Sequence, residues 1–89
     1  MADMKKCFLC GRYTYTERHH IFNGADRKKS EKYKLVVDLC PECHRTGKYA
    51  VHNCIETKRK LQRYGQQKAM IENDWNTEDF LKVFGRNYL

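Results

Sequence analysis

The chain has 89 residues, a formal net charge of +7 and a pI near 9.3, enough for one domain and too few for two. Its composition is 40% hydrophobic and 33% charged, with one proline and five glycines, which excludes a disordered chain, and no apolar run approaches the ~20 residues of a membrane span. A basic surface on so small a chain favours polyanions, either nucleic acid or acidic lipid. The opening segment "MADMKKCFLCGRY" carries two lysines but no apolar stretch of secretory length. An intracellular setting is therefore expected, where cysteines stay reduced. The odd count of five cysteines also argues against a closed disulfide framework.

In chain order, "KKCFLCGRYTYT" over residues 5–16 reads as a Cys-x-x-Cys-Gly knuckle leading into a strand, and residues 17–22, "ERHHIF", continue extended. "NGADRKKSEKYK", Asn23 to Lys34, reads as a polar basic loop opening on an Asn-Gly turn. "LVVDLC", Leu35 to Cys40, is a second strand, and Pro41 suits the first turn of a helix begun by "PECHRT". "HNCIETKRKLQRY", His52 to Tyr64, is helical with Ile55, Leu61 and Tyr64 on one face, and Gly65 is the expected stop. "QQKAMIENDW" is a further short helix. "NTEDFLKVFG" is the last helix, with Thr77 as N-cap, Phe80, Leu81 and Phe84 as its apolar face and Gly85 as its end.

Cys7-x-x-Cys10 and Cys40-x-x-Cys43 each span a tight turn able to aim two thiolates at one tetrahedral Zn(II). A structural zinc is therefore expected on these four cysteines. Cys54 is left over and reads as a small buried residue. The zinc ties the knuckle to the helix after the second strand. The intervening chain must leave and return, which suits a hairpin with arms Tyr13 to Phe22 and Leu35 to Leu39: a ββα unit clamped by metal.

The four histidines are His19, His20, His44 and His52. Adjacent residues of a strand point to opposite faces, so His19 and His20 are expected to have different partners. One histidine from the first arm with His44 and His52 makes three nitrogen ligands with open positions, the composition of a catalytic metal site.

The order Cys-x-x-Cys, "HHI", "LCPECH" and a later histidine resembles the HNH endonucleases, the ββα-metal nucleases, over residues 7 to about 53. The small size and the ending "FGRNYL" look like small phage or prophage HNH proteins. The resemblance implies an α+β fold: a zinc-stabilised ββα-metal, treble-clef-like unit over residues 5–56 with a C-terminal helical extension over 57–89, together one domain spanning 1–89. It implies hydrolysis of DNA phosphodiester bonds to 5′-phosphate and 3′-hydroxyl ends. His19 would be a ligand and His20 the general base, its tautomer set by a backbone carbonyl. His44 and His52 would complete the catalytic metal set, with Asn53 as a substitute for His52. The metal would be Mg(II), Mn(II), Ni(II) or Zn(II). The family's central asparagine has no match where this chain reads "YKLVV", and Asn23 and Ser30 are the candidates for holding the loop instead.

Arg18, beside the histidine pair, is the residue best placed for the scissile phosphate. Arg27, Lys28, Lys29, Lys58, Arg59 and Arg63 are the candidate nucleic-acid contacts, mostly to phosphates, so weak sequence preference and strong salt dependence are expected. Two other classes fit the same sequence: a non-catalytic zinc module binding nucleic acid, and an adaptor in a phage packaging or replication assembly that docks through Trp75, Phe80, Phe84 and Tyr88. In all three readings the expected location is cytoplasmic, in a bacterial host if the chain is phage-encoded, with no membrane partner.

Overall fold

The computed structural model describes residues 4–89. The first three residues of the N-terminal segment, and of the 1–89 domain, lie outside it. The chain is a small α+β protein with two short two-stranded antiparallel sheets. It divides into two compact units, one comprising the residues up to His19 with Val36–Lys58, the other His20–Leu35 with Arg59–Leu89.

In the first unit, β1 (Met4–Lys6) pairs antiparallel with β2 (Tyr13–Tyr15) in the register Met4↔Tyr15, Lys5↔Thr14, Lys6↔Tyr13. The knuckle makes this hairpin. Cys7 N–H donates to Arg12 O at 2.9 Å, Gly11 N–H donates to Cys7 O at 2.9 Å, and Gly11 takes φ +77°, a conformation that favours glycine. β3 (Glu17–His20) pairs instead with β4 (Val36–Leu39). The expected single arm from Tyr13 to Phe22 is thus two strands with different partners, because the knuckle returns the chain early enough for Met4–Lys6 to claim the first half.

After β4, Pro41 adopts helical angles and Glu42–Thr46 form one wide π-type turn. Gly47 is extended, with ψ 158°, so the helix begun at "PECHRT" stops there. Val37, Leu39, Ala50 and Val51 are the buried aliphatic residues among the described residues of this unit.

In the second unit, the segment expected as a loop is helical: a 3-10 turn at Gly24–Asp26 runs into α1 (Arg27–Lys32). "RKKSEK" has good helix formers but no apolar stripe, so periodicity alone does not reveal it. Ser30 is fully buried and stitches this segment shut. It donates to Phe22 O at 2.7 Å and accepts from Phe22 N–H at 3.0 Å. Asn23, the other candidate, is exposed and makes no side-chain cap.

α2 runs unbroken over Ile55–Asn73. Gly65 does not end it, and "QQKAMIENDW" continues it as far as Asn73. A Cβ on Gly65 would lie 2.8 Å from Ile21 Cγ2 and 3.1 Å from Phe22 Cε2. The glycine is there for close packing. Ile55 is exposed, and the buried positions of α2 are Leu61, Gly65, Gln66 and Ala69. α3 (Thr77–Phe84) is capped by Asn76 rather than Thr77: Asn76 accepts from Asp79 N–H, and the Asp79 carboxylate accepts from Asn76 N–H in return. Gly85 ends α3 at φ 76°. Phe22 packs against Phe84 and Tyr88 with ring centroids 4.9 Å apart in each case, and Tyr33 packs edge-on against Trp75 at 4.9 Å. The aromatic residues of the C-terminal segment therefore supply internal packing. Leu81, expected on the apolar face of α3, is exposed.

Candidate metal centres

The Sγ atoms of Cys7, Cys10, Cys40 and Cys43 all lie within 4.8 Å of one another. Both pairs are the same turn: Cys10 N–H points at Cys7 Sγ and Cys43 N–H at Cys40 Sγ, each at 3.5 Å. Cys10 Sγ and Cys40 Sγ are 3.8 Å apart, the separation two sulfurs have when each binds one tetrahedral zinc at ~2.3 Å. The thiols also separate electrostatically. Burial works to raise Cys7, but N–H groups of Cys10, Cys40 and Leu9 outweigh it and bring the thiol down to about 6. Burial likewise opposes ionisation of Cys40, and the Cys43 N–H, the Cys43 thiol and the Arg12 guanidinium outweigh it. Cys43 is pushed up by burial and by its neighbouring thiols. The opposition falls on Cys43, and a cation that takes the sulfurs as thiolates removes it. The cluster can hold a structural metal such as zinc. Arg12 approaches Cys40 Sγ at 3.7 Å and Glu42 at 3.5 Å. It was not among the candidate residues, and nothing in its sequence context marks it.

Ligand nitrogens of His19, His44 and His52 also lie within 4.8 Å of one another. His19 comes from β3, where its buried position alternates with exposed Arg18. His44 sits on the π-type turn directly after Cys43 and is 5% exposed. His52 arrives by a turn rather than along a helix. Val51 N–H donates to Cys43 O at 2.8 Å and His52 N–H to His44 O at 3.3 Å, laying the returning chain beside the outgoing one. His52 Nε2 then faces His44 Nε2 at 3.0 Å. Asn53 is turned elsewhere: its amide donates to Arg45 O and to Gly47 O and so closes the turn. His52, and not Asn53, is the third member of the set.

Glu17 Oε1 lies 2.7 Å from His44 Nδ1. An ionised carboxylate only accepts, so Nδ1 carries the proton and Nε2 presents its lone pair to the cluster. The hydrogen bond to His44 holds Glu17 below the usual carboxylate range despite its partial burial, and Arg45, 3.4 Å away, adds to the effect. Glu17 stands two residues before His19 and so shares its strand face, a signal available from spacing. His52 is exposed as a residue, and partial desolvation of its ring lowers it, with repulsion from His44, Arg45 and Lys58 in support. A neutral imidazole is the form that ligates a cation. The donor set of three imidazole nitrogens, one of them backed by a carboxylate, fits a borderline divalent metal.

In the second unit, His20 is 8% exposed and its Nε2 meets Glu31 Oε1 at 3.0 Å. The expected backbone carbonyl at this ring is replaced by a carboxylate from α1. Arg18, Arg27, Lys28, Lys58, Arg59 and Arg63 are exposed. Lys29 differs from these. Its ammonium donates to Val83 O, lies 3.4 Å from Asp26 and sits 6.0 Å from the Phe84 ring centroid, so it is engaged within its own unit. Cys54 is partly buried, and its thiol is lowered by bonds to the Thr57 hydroxyl and N–H. No helix among the described residues is long and apolar enough to cross a membrane. Comparison of the chain with protein-family models, curated proteins and solved structures finds no match.

Proposed function

We propose that this protein is a metal-dependent endonuclease of the HNH type, built on a zinc-stabilised ββα-metal, treble-clef-like unit. The observation that carries the reading is the convergence of His19, His44 and His52 within 4.8 Å, with a further histidine at the next position of the same strand. Support also comes from the four-cysteine cluster, which joins the N-terminal knuckle to the turn bearing His44, and from the basic surface.

In this reading His19, His44 and His52 hold a divalent cation, and Glu17 orients His44. A bound cation supplies charge stabilisation at the phosphate and the leaving oxygen. His20 points to the other face of β3 from His19, so its ring is kept for proton transfer. It accepts a proton as water attacks phosphorus; the bond to the 3′ oxygen breaks, and that oxygen leaves as a hydroxyl after taking a proton from solvent. An imidazole suits this task near neutral pH. Arg18 is assigned to the scissile phosphate. Arg27, Lys28, Lys58, Arg59 and Arg63 are assigned to flanking phosphates, which steepens salt dependence and adds little sequence preference.

The test is plasmid cleavage across Mg(II), Mn(II), Ni(II) and Zn(II), beside His20→Ala. Cleavage by the wild type with a loss of at least 100-fold in the variant, at unchanged zinc content, is expected. Cleavage by His20→Ala at the wild-type rate removes the base assignment. Binding without cleavage in every metal replaces the nuclease with a non-catalytic nucleic-acid-binding zinc module.

A further inference from the structure

His20 is the histidine that the metal cluster does not use, and its surroundings are specific. Its ring is nearly buried, yet it has a charged partner, Glu31 Oε1, at 3.0 Å from Nε2. Glu31 stands eleven residues further on, in α1. Three constraints put it there. Ser30, its neighbour, is locked to both backbone groups of Phe22. Leu35 N–H donates to Ser30 O at 2.7 Å, and Ile21 N–H donates to Leu35 O at 3.1 Å. The chain from His20 to Leu35 is therefore closed on itself at both ends, and the closure brings α1 back to the ring.

An ionised carboxylate has no hydrogen to give. The 3.0 Å contact therefore fixes the proton of the neutral ring on Nε2 and leaves the lone pair on Nδ1. No group among the described residues hydrogen-bonds His20 Nδ1, and no buried side-chain nitrogen or oxygen among them lacks a partner. Nδ1 is accordingly not sealed off without a partner, and Nε2 is the nitrogen that Glu31 holds.

We propose that Glu31 is a positioning residue for His20: it selects the Nε2–H tautomer, holds the ring, and leaves Nδ1 as the nitrogen that takes the proton from water. The catalytic half of this statement rests on the nuclease reading; the tautomer half does not. In the proton transfer, Nδ1 gains the proton that water loses. The Nε2–H bond stays intact, and the carboxylate faces the imidazolium that results. The carboxylate comes from the basic insert between β3 and β4, a segment that otherwise looks like a surface loop.

The experiment uses the full chain with histidine labelled in nitrogen-15, at a pH where the ring is neutral. Long-range proton–nitrogen spectra report which ring nitrogen carries hydrogen, and His20→Asn assigns the signal. The wild type is expected to show one His20 tautomer, protonated at Nε2. Glu31→Ala should relax that single tautomer to the mixture of an unconstrained ring, in which Nε2–H is only the major form, and lower kcat by about 10- to 100-fold, with KM changed by less than about 3-fold. Glu31→Gln, whose amide oxygen still accepts from Nε2–H, should keep the tautomer and most of kcat. The carboxylate is at the surface end of the contact, 54% exposed, and near-ultraviolet dichroism checks that the variants stay folded. An unchanged tautomer in Glu31→Ala overturns the proposal, as does a loss confined to KM. If no metal supports cleavage by the wild type but the tautomer shifts as stated, the nuclease reading falls and the Glu31–His20 pairing stands.

Discussion

Glu17 and His44, 27 residues apart in sequence, meet at 2.7 Å, and the contact decides which nitrogen of His44 can bind a cation. With Nδ1–H donated to the carboxylate, Nε2 is left to face His52 Nε2. Carboxylates in this position fix the ring and raise its basicity. Glu17→Gln can still accept one hydrogen bond but loses the charge. It is expected to weaken Ni(II) or Zn(II) at the histidine cluster by about 10-fold, and Glu17→Ala by up to about 100-fold. Competition with a chromophoric chelator measures this, with the zinc of the four-cysteine cluster as an internal reference. Equal affinity in all three proteins would show that the contact is not part of a metal site.

The pH dependence of that cluster has a definite sign. Partial desolvation of its ring, aided by His44, Arg45 and Lys58, keeps the exposed His52 below its ordinary 6.5. The unfolded chain then takes up this proton before the folded one does. The folded state is undiminished above about 6.5 and loses stability as pH falls through it. Protons also compete with a cation for the same nitrogens, which acts in the same direction. Apparent metal affinity should hold from about pH 8 to 7 and drop between about pH 6.5 and 5. His52→Gln should flatten the corresponding decline in Tm. A metal-binding curve that stays level to pH 5 contradicts this account.

The two Cys-x-x-Cys pairs are legible in the sequence because their geometry is local: four residues and one turn set each pair of sulfurs. His52 is harder to read. Its place depends on hydrogen bonds from Val51 to Cys43 and from His52 to His44, which no periodicity announces. Glu17 could have been found, since two residues along a strand is the same face. Glu31 could not, because it reaches His20 only after Ser30 and Phe22 have folded a segment that lacks an apolar stripe. At Gly65 local propensity points the wrong way: the residue reads as a helix stop, and its reason is a neighbour far off in sequence.

The sulfur cluster has a burden the small core does not carry alone. Chains this size are commonly stapled by metal, and Cys7 and Cys40 are buried at 1% and 0% exposure. Without a cation the four sulfurs crowd within 4.8 Å of one another, and the Cys43 thiol resists ionisation. Chelation, or Cys40→Ser, is expected to abolish amide protection in β1, β2 and β4, read by hydrogen exchange. Cys54→Ser, outside the cluster, should leave metal content unchanged. Full protection after complete zinc removal would make the cluster incidental to folding.

Ser30 closes the segment between β3 and β4. Its hydroxyl satisfies both backbone groups of Phe22 from a fully buried position. Ser30→Ala leaves a buried N–H and C=O without that partner, at a cost of about 1–3 kcal/mol for each group left unsatisfied. Ser30→Thr adds a methyl where there is no exposed surface to receive it. Both should lower the urea midpoint, with alanine the cleaner reading. A midpoint within error of wild type for alanine would mean that water or a backbone shift replaces the hydroxyl.

Gly65→Ala sets two effects against each other. In an exposed helix interior, alanine is favoured over glycine by about 1 kcal/mol. Here the new Cβ would meet Ile21 Cγ2 at 2.8 Å and Phe22 Cε2 at 3.1 Å. Neither neighbour has room to yield, since both are 2% exposed and Phe22 is already packed against Phe80, Phe84 and Tyr88. Overpacking of this kind costs about 1–3 kcal/mol, so the crowding term is expected to win and the variant to be destabilised by up to about 2 kcal/mol. Ile21→Val removes only the Cδ1 atom and leaves Cγ2 in place, so it should not rescue the variant; Ile21→Ala, which removes Cγ2, should recover part of the loss in a double-mutant cycle. Additive effects of Gly65→Ala and Ile21→Ala would show that the two residues do not press on each other, and a stabilised Gly65→Ala would return the glycine to a purely local role.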